Sequence, residues 1–214
     1  AAQYSYICAM MENDPQRETA VLYRNNDSAV ALIDWLDRRG VPFRCRRGEN
    51  SFFSNRTVNG VRDIMTLALE PGNAEAFMRV YSKFSLPVRR EAAELAVSLY
   101  GAGKADSLIA ALESASKEQP DWLRERLAEL HDNFIALKTD TAREALDRIR
   151  YKMGYGGYVL KDSGDKERMY LMSILAAREK NAESFLQRLR ELESISTENR
   201  PTDSKLILST IHSS

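Results

Sequence analysis

Apolar and polar positions change period along this chain, and the changes divide it into elements. Gln3 to Met11 carries apolar and aromatic residues at helical spacing, and Asp14 and Pro15 break that pattern. Thr19 to Tyr23 (TAVLY) is a short apolar run, the signature of a buried strand. Asn25, Asn26 and Asp27 form a turn, and Asp27 or Ser28 is placed to cap a helix. That helix is expected from about Ser28 to Arg39, with Val30, Leu32, Ile33 and Leu36 inward and Gly40 as its stop. Pro42 to Cys45 is a second short strand. Strand, helix, strand is the unit of a parallel sheet.

From Val58 the pattern turns helical. Val61, Ile64, Met65, Leu67 and Leu69 define one helix, closed by Pro71 and Gly72. Shorter helices are expected over Ala76 to Tyr81, Val88 to Tyr100 and Ser107 to Ala115, with a linker at Lys117 to Pro120. Leu123, Leu127, Leu130, Phe134 and Leu137 recur in steps of four and three, the stripe of an amphipathic helix. Thr141 to Met153 gives another helix, ended by Gly154, Gly156 and Gly157. Asp162 to Lys166 is expected as a polar turn, Glu167 to Lys180 and Ala182 to Leu192 as helices, and Ser194 to Asp203 as a loop. Lys205 to Ser209 returns to a strand. A sheet begun at the front and completed at the end is what an insertion into an α/β domain produces. The expected fold class is α/β with dominant helix: a partial parallel sheet interrupted by an inserted all-α domain. Both ends of the chain look like cuts within a larger fold.

Composition narrows the options. The 214 residues are 43% hydrophobic, enough for a real core. Lys plus Arg (31) balances Asp plus Glu (31), so bulk charge alone does not hold this chain to a nucleic acid. The two cysteines, Cys8 and Cys45, form no CxxC pair and suit thiols in a reducing cytoplasm. No apolar run has the length of a membrane span, and the first residues are no signal peptide.

Candidate chemistry gathers after the strands, because ligands of open parallel sheets sit beyond the strands' carboxyl ends. Arg24 stands there, where a guanidinium can fork onto a phosphate, and Tyr23 beside it offers a flat face to a base. The alternative is an ordinary surface arginine. Thr210 and His212 follow the last strand in the same way; the alternative there is a capping turn. Phe52 and Phe53 are able to stack on bases or to pack against the next helix. Arg44, Arg46 and Arg47 suit a phosphate backbone or a solvated strand end equally. His131 has no second His or Cys near it, so no metal site is expected. Tyr151, Tyr155 and Tyr158, set among glycines, fit a packed turn better than a stacking surface. No G-x-x-x-x-G-K-(S/T) occurs; Gly101 to Lys104 lacks its spacing and a preceding strand.

Taken in order, VLYRNN, the helix LIDWLDRRG, the strand VPFRCRRG, then SFF and a long helix resemble one family. They look like motif IV and the following motif of UvrD/PcrA/Rep-type superfamily 1 DNA helicases. The tail LILSTIHSS looks like the first part of motif V, and the chain stops before the KGLE that usually follows. The resemblance covers residues 17 to about 84 and 204 to 214; between them only the helical character matches.

The resemblance implies a fragment of an ATP-dependent 3′-to-5′ DNA helicase of DNA repair or replication. Residues 1–117 and 204–214 would belong to the second RecA-like motor domain, and residues 118–203 to the inserted helical domain. It implies that Arg24 contacts the γ-phosphate as an arginine finger, that Tyr23 stacks on adenine, and that His212 and Thr210 lie by single-stranded DNA; Phe52 and Phe53 join them as candidate DNA contacts on their own aromatic chemistry. ATP and magnesium would be held by the first motor domain of the same polypeptide, so the fragment alone should be inactive. Where the family usually carries an acid and then a Lys-Asp pair, this chain has Thr57, Asn59 and Gly60. The family's duplex-gripping glycine-rich hairpin has no clear match near Phe84 to Val88. Two rivals stay open: a non-enzymatic helical adaptor, and a degenerate helicase-like subunit of a helicase–nuclease complex.

Overall fold

The computed structural model describes residues 2–14, 17–24, 26–45, 51–197 and 204–210. Packing divides the chain into two units, one of residues 1–55 and 187–214, the other of residues 56–186.

The first unit holds α1 (Ala2–Asn13), β1 (Thr19–Tyr23), α2 (Asn26–Asp37), β2 (Arg44–Cys45) and α3 (Ser51–Ser54). It also holds β3 (Leu206–Thr210). The strands form a parallel sheet in the order β1-β3-β2. The strand–helix–strand unit therefore leaves a gap between its own strands, and the last strand of the chain fills it. Leu206 and Leu208 on β3 are fully buried, as the central strand of a parallel sheet requires.

The sheet departs from expectation on one face. Thr19, Val21 and Tyr23 alternate as half-buried residues, while Ala20 and Leu22 are exposed, Leu22 at 52%. So β1 is covered on one face only, because period-2 alternation sends Ala20 and Leu22 to the other. Helix α2 begins earlier than expected, at Asn26, and Ala29 to Leu36 are all buried, including the charged Asp34. Gly40 closes the helix as anticipated. Its φ is +64°, and Val41 N–H donates to the Leu36 carbonyl at 3.1 Å.

The second unit is all helical among its described residues. It comprises α4 (Arg56–Leu69), α5 (Ala74–Val80), α6 (Arg90–Gly101), α7 (Leu108–Ala115) and α8 (Asp121–Leu137), then α9 (Ala142–Tyr151), α10 (Tyr155–Val159) and α11 (Ser163–Ala176). Helix α12 (Ala182–Thr197) starts in this unit and ends in the first. Helix α4 is the hub, packing on α5, α8, α9 and α11. The α8 stripe behaves as its spacing predicts: Leu123, Leu127, Leu130, Phe134 and Leu137 are all buried. Thr141 and Glu144 form a capping box at the start of α9.

Several details differ from the sequence reading, among them α12, which continues to Thr197 through the start of the expected Ser194 to Asp203 loop. Leu69 is partly exposed, because it sits at the end of α4 where the buried stripe has turned away. Residues 155–159 form a short helix that the glycines conceal. The polar turn at Asp162 is a helix start: the Asp162 carboxylate accepts from Asp165 N–H at 2.8 Å and caps α11. Among the described residues, no helix is long and apolar enough to cross a membrane.

Candidate functional site at the strand ends

In a parallel sheet all strands end on the same rim, so chemistry borne after β1 and after β3 is brought together by topology. Here the register makes Tyr23 the partner of Thr210. The two stretches singled out in the sequence, at opposite ends of the chain, end side by side. Arg24 follows immediately; it is exposed and has no ion-pair partner among the described residues. His212, Asn25, Arg46 and Arg47 lie outside the described residues.

Tyr23 is half-buried on the covered face of the sheet. Burial, and secondarily the neighbouring Cys45, push its phenol up to about 12, so it is a neutral ring with a hydroxyl donor at ordinary pH. Burial also pushes the Cys45 thiol up to about 11, which makes it a poor nucleophile. The rim as described therefore offers one free cation and one neutral aromatic. That pair can bind an anion and an adjoining ring, and it has no acid–base couple of its own.

The phenylalanines take the packing alternative. Phe52 is 0% exposed and Phe53 3%, with their rings edge to face at 5.1 Å between centroids. Stacking on a base would require either ring to leave its buried position. Arg44 is likewise engaged: its Nη2 donates to Glu18 Oε1 at 3.1 Å, both side chains exposed.

In the second unit, the positions where Thr57 and Gly60 stand are structurally committed. Thr57 Oγ1 donates to the buried Asp165 Oδ1 at 2.7 Å, and Arg56 Nη2 donates to Asp165 Oδ2 at 3.2 Å. The buried Tyr155 hydroxyl donates toward the Thr57 and Arg56 carbonyls at 3.1 and 3.3 Å. A Cβ on Gly60 would lie 1.8 Å from that hydroxyl oxygen, so only glycine fits there. The three tyrosines thus split: Tyr155 is packed at the start of α10, while Tyr151 and Tyr158 are exposed. Gly101 to Lys104 is a helix-ending turn, with Gly103 at φ +68° and Lys104 N–H donating to the Leu99 carbonyl. His131 Nδ1 lies 3.4 Å from Glu113 Oε2, and no cluster of metal-binding side chains occurs among the described residues.

One cluster went unseen in the sequence. Arg188 on α12 is buried against Asp34 and Asp37 of α2. No local motif could reveal it, since its members lie far apart in the chain.

No protein-family model matches the chain. It is 23% identical over 202 residues to a Bacillus subtilis (strain 168) protein described as "Putative ATP-dependent DNA helicase YjcD". The alignment takes in 91% of this chain and 26% of that protein, so the chain spans about a quarter of the relative's length. The relationship is distant and helicase-like.

Proposed function

We propose that this chain is part of the second motor domain of a UvrD-like, ATP-dependent 3′-to-5′ DNA translocase, with its inserted helical domain. In this reading residues 1–117 and 204–214 belong to the motor and residues 118–203 to the insertion. The observation that carries it is the pairing of Tyr23 with Thr210, which puts Arg24 and Thr210 at neighbouring strand ends on one sheet rim. The similarity to a helicase-named protein over most of this chain supports it independently.

The chemistry is that of a half-site. ATP and magnesium would be held by the first motor domain, since this sequence has no phosphate-binding loop. Arg24, free of ion pairs among the described residues, would neutralise charge developing on the transferred phosphoryl group. Tyr23 would set a neutral ring against adenine, and Thr210 and His212 would face single-stranded DNA. Phe52 and Phe53 are left out of the DNA surface because both are buried.

A non-enzymatic adaptor has no need for these residues to converge. The deciding assay compares DNA-stimulated ATP turnover by the full-length protein and by residues 1–214 alone. The expected result is turnover by the first and none by the second. Robust turnover by the 214-residue chain would sink the proposal, and so would a full-length protein inert toward ATP in the presence of DNA.

A further inference from the structure

Helix α2 carries a charge where an apolar residue would be expected. Asp34 is 0% exposed, within the run Ala29 to Leu36 that is buried throughout. Its Oδ1 accepts from two guanidinium groups, Arg38 Nε and Arg188 Nε, each at 2.8 Å. Arg188 Nη1 donates to Asp37 Oδ2 at 2.8 Å and to Glu191 Oε2 at 3.1 Å, and its Nη2 reaches the Asp34 carbonyl at 3.4 Å. Burial works against the Arg188 charge, but Asp34, Asp37 and Glu191 outweigh it and hold the guanidinium above the ordinary arginine range.

Stability is a weak reason for such a cluster. Buried ion pairs commonly break even or lose against apolar residues of similar volume. What a forked guanidinium supplies is direction, because its bonds fix angle as well as distance. Two helices are fixed here. One is α12, whose residue 188 stands just past the point where the chain enters the first packing unit. The other is α2, whose first residue, Asn26, comes just after the Arg24 turn. That Arg24 end of α2, away from the clamp, is tied separately, by Ser51 Oγ donating to Asp27 Oδ1 at 2.9 Å.

We propose that Arg188 is a positioning residue: its clamp on Asp34 and Asp37 ties α12 to α2 and so sets where Arg24 stands at the sheet rim. A displacement of α12 is passed to α2 as a rigid shift, and the reach of Arg24 changes with it. The functional half of this inference rests on Arg24 facing a nucleotide. The mechanical half does not.

Two variants separate the clamp from general stability. Asp34→Leu combined with Arg188→Met removes both buried charges at similar volume, and Arg188→Lys keeps the charge but loses the fork. Amide hydrogen exchange on the 214-residue chain is the first readout. In the double variant, exchange should rise about tenfold or more over residues 27–30 and 189–196, while α8 and α9 keep their protection. Arg188→Lys should fall between, and it decides alone if the double variant does not fold. Unchanged exchange at both segments overturns the clamp. So does a uniform rise that includes α8 and α9, which would mean stability alone. The second readout is DNA-stimulated ATP turnover by the full-length protein, where the double variant should lose at least about fivefold in kcat with ATP affinity kept. Normal kcat in that variant overturns the functional half. If Arg24→Ala has no effect on turnover while exchange behaves as expected, the nucleotide reading of Arg24 has failed and the clamp has not.

Discussion

Tyr23 and Thr210, the last residues of β1 and β3, are register partners on neighbouring parallel strands. Almost the whole chain separates them in sequence. Their pairing makes one rim from two stretches that, taken singly, look like ordinary strand ends. β3 lies between β1 and β2, so the long helical stretch interrupts the sheet in sequence and not in space.

Burial of Phe52 assigns it a structural task, and its truncation tests that directly. Phe52→Ala should cost about 3–5 kcal/mol of stability, as for other buried phenylalanines. Phe52→Leu should cost far less and leave single-strand DNA affinity of the full-length protein unchanged. Denaturant titration gives the first figure and fluorescence anisotropy the second. A stable Phe52→Leu variant with sharply weakened DNA binding would restore the stacking role.

Gly60 lies inside α4, where glycine is normally a cost, and Tyr155 explains its presence. Gly60→Ala should destabilise by about 1–3 kcal/mol through overpacking against the phenol. In a Tyr155→Ala background the clash is gone, and the same change should become neutral or stabilising, since alanine is about 1 kcal/mol better than glycine in a helix. The double-mutant cycle, read by thermal unfolding, should therefore show a change of sign. Additive effects would mean that Tyr155 is not what excludes the Cβ.

The Cys45 thiol gives a pH signature. Folding raises it from its ordinary 9.0 to about 11, because burial disfavours the thiolate. The stability this contributes is complete below pH 9 and is lost as pH rises through about 11. Tyr23 acts in the same sense slightly higher, from 10.0 to about 12. Cys45→Ala should flatten the first part of the alkaline decline in urea midpoints. In a Cys8→Ser background, alkylation of Cys45 at pH 8 should be much slower in the folded chain than in urea. Equal rates would show that the thiol is not held back by burial.

Helices were largely legible in the sequence because periodicity reports local burial. The α8 stripe and the Gly40 stop follow from spacing and from the one residue that tolerates positive φ. Strand order was not legible: nothing local in LILST says that it lies between β1 and β2. The one-sided cover of β1 leaves no mark in the sequence, because TAVLY has the same composition whether one face is packed or both. Asp162 looks like a turn in the sequence because caps and turns use the same residues. At the candidate site, Arg24, Tyr23 and Thr210 are legible as polar and aromatic residues at strand ends, and the resemblance to known motifs adds their roles. Arg188 is not legible, because a clamp between distant helices leaves no pattern in either.

Steady-state ATP hydrolysis by the full-length protein carrying Arg24→Ala decides whether Arg24 faces a nucleotide. Arg24 is exposed and follows the strand, so the variant should fold with an unchanged melting temperature. If Arg24 acts in trans on a nucleotide held by another domain, kcat should fall by about 10³-fold or more, with Arg24→Lys recovering only part of it. Wild-type turnover in Arg24→Ala would mean that Arg24 does not act on the nucleotide.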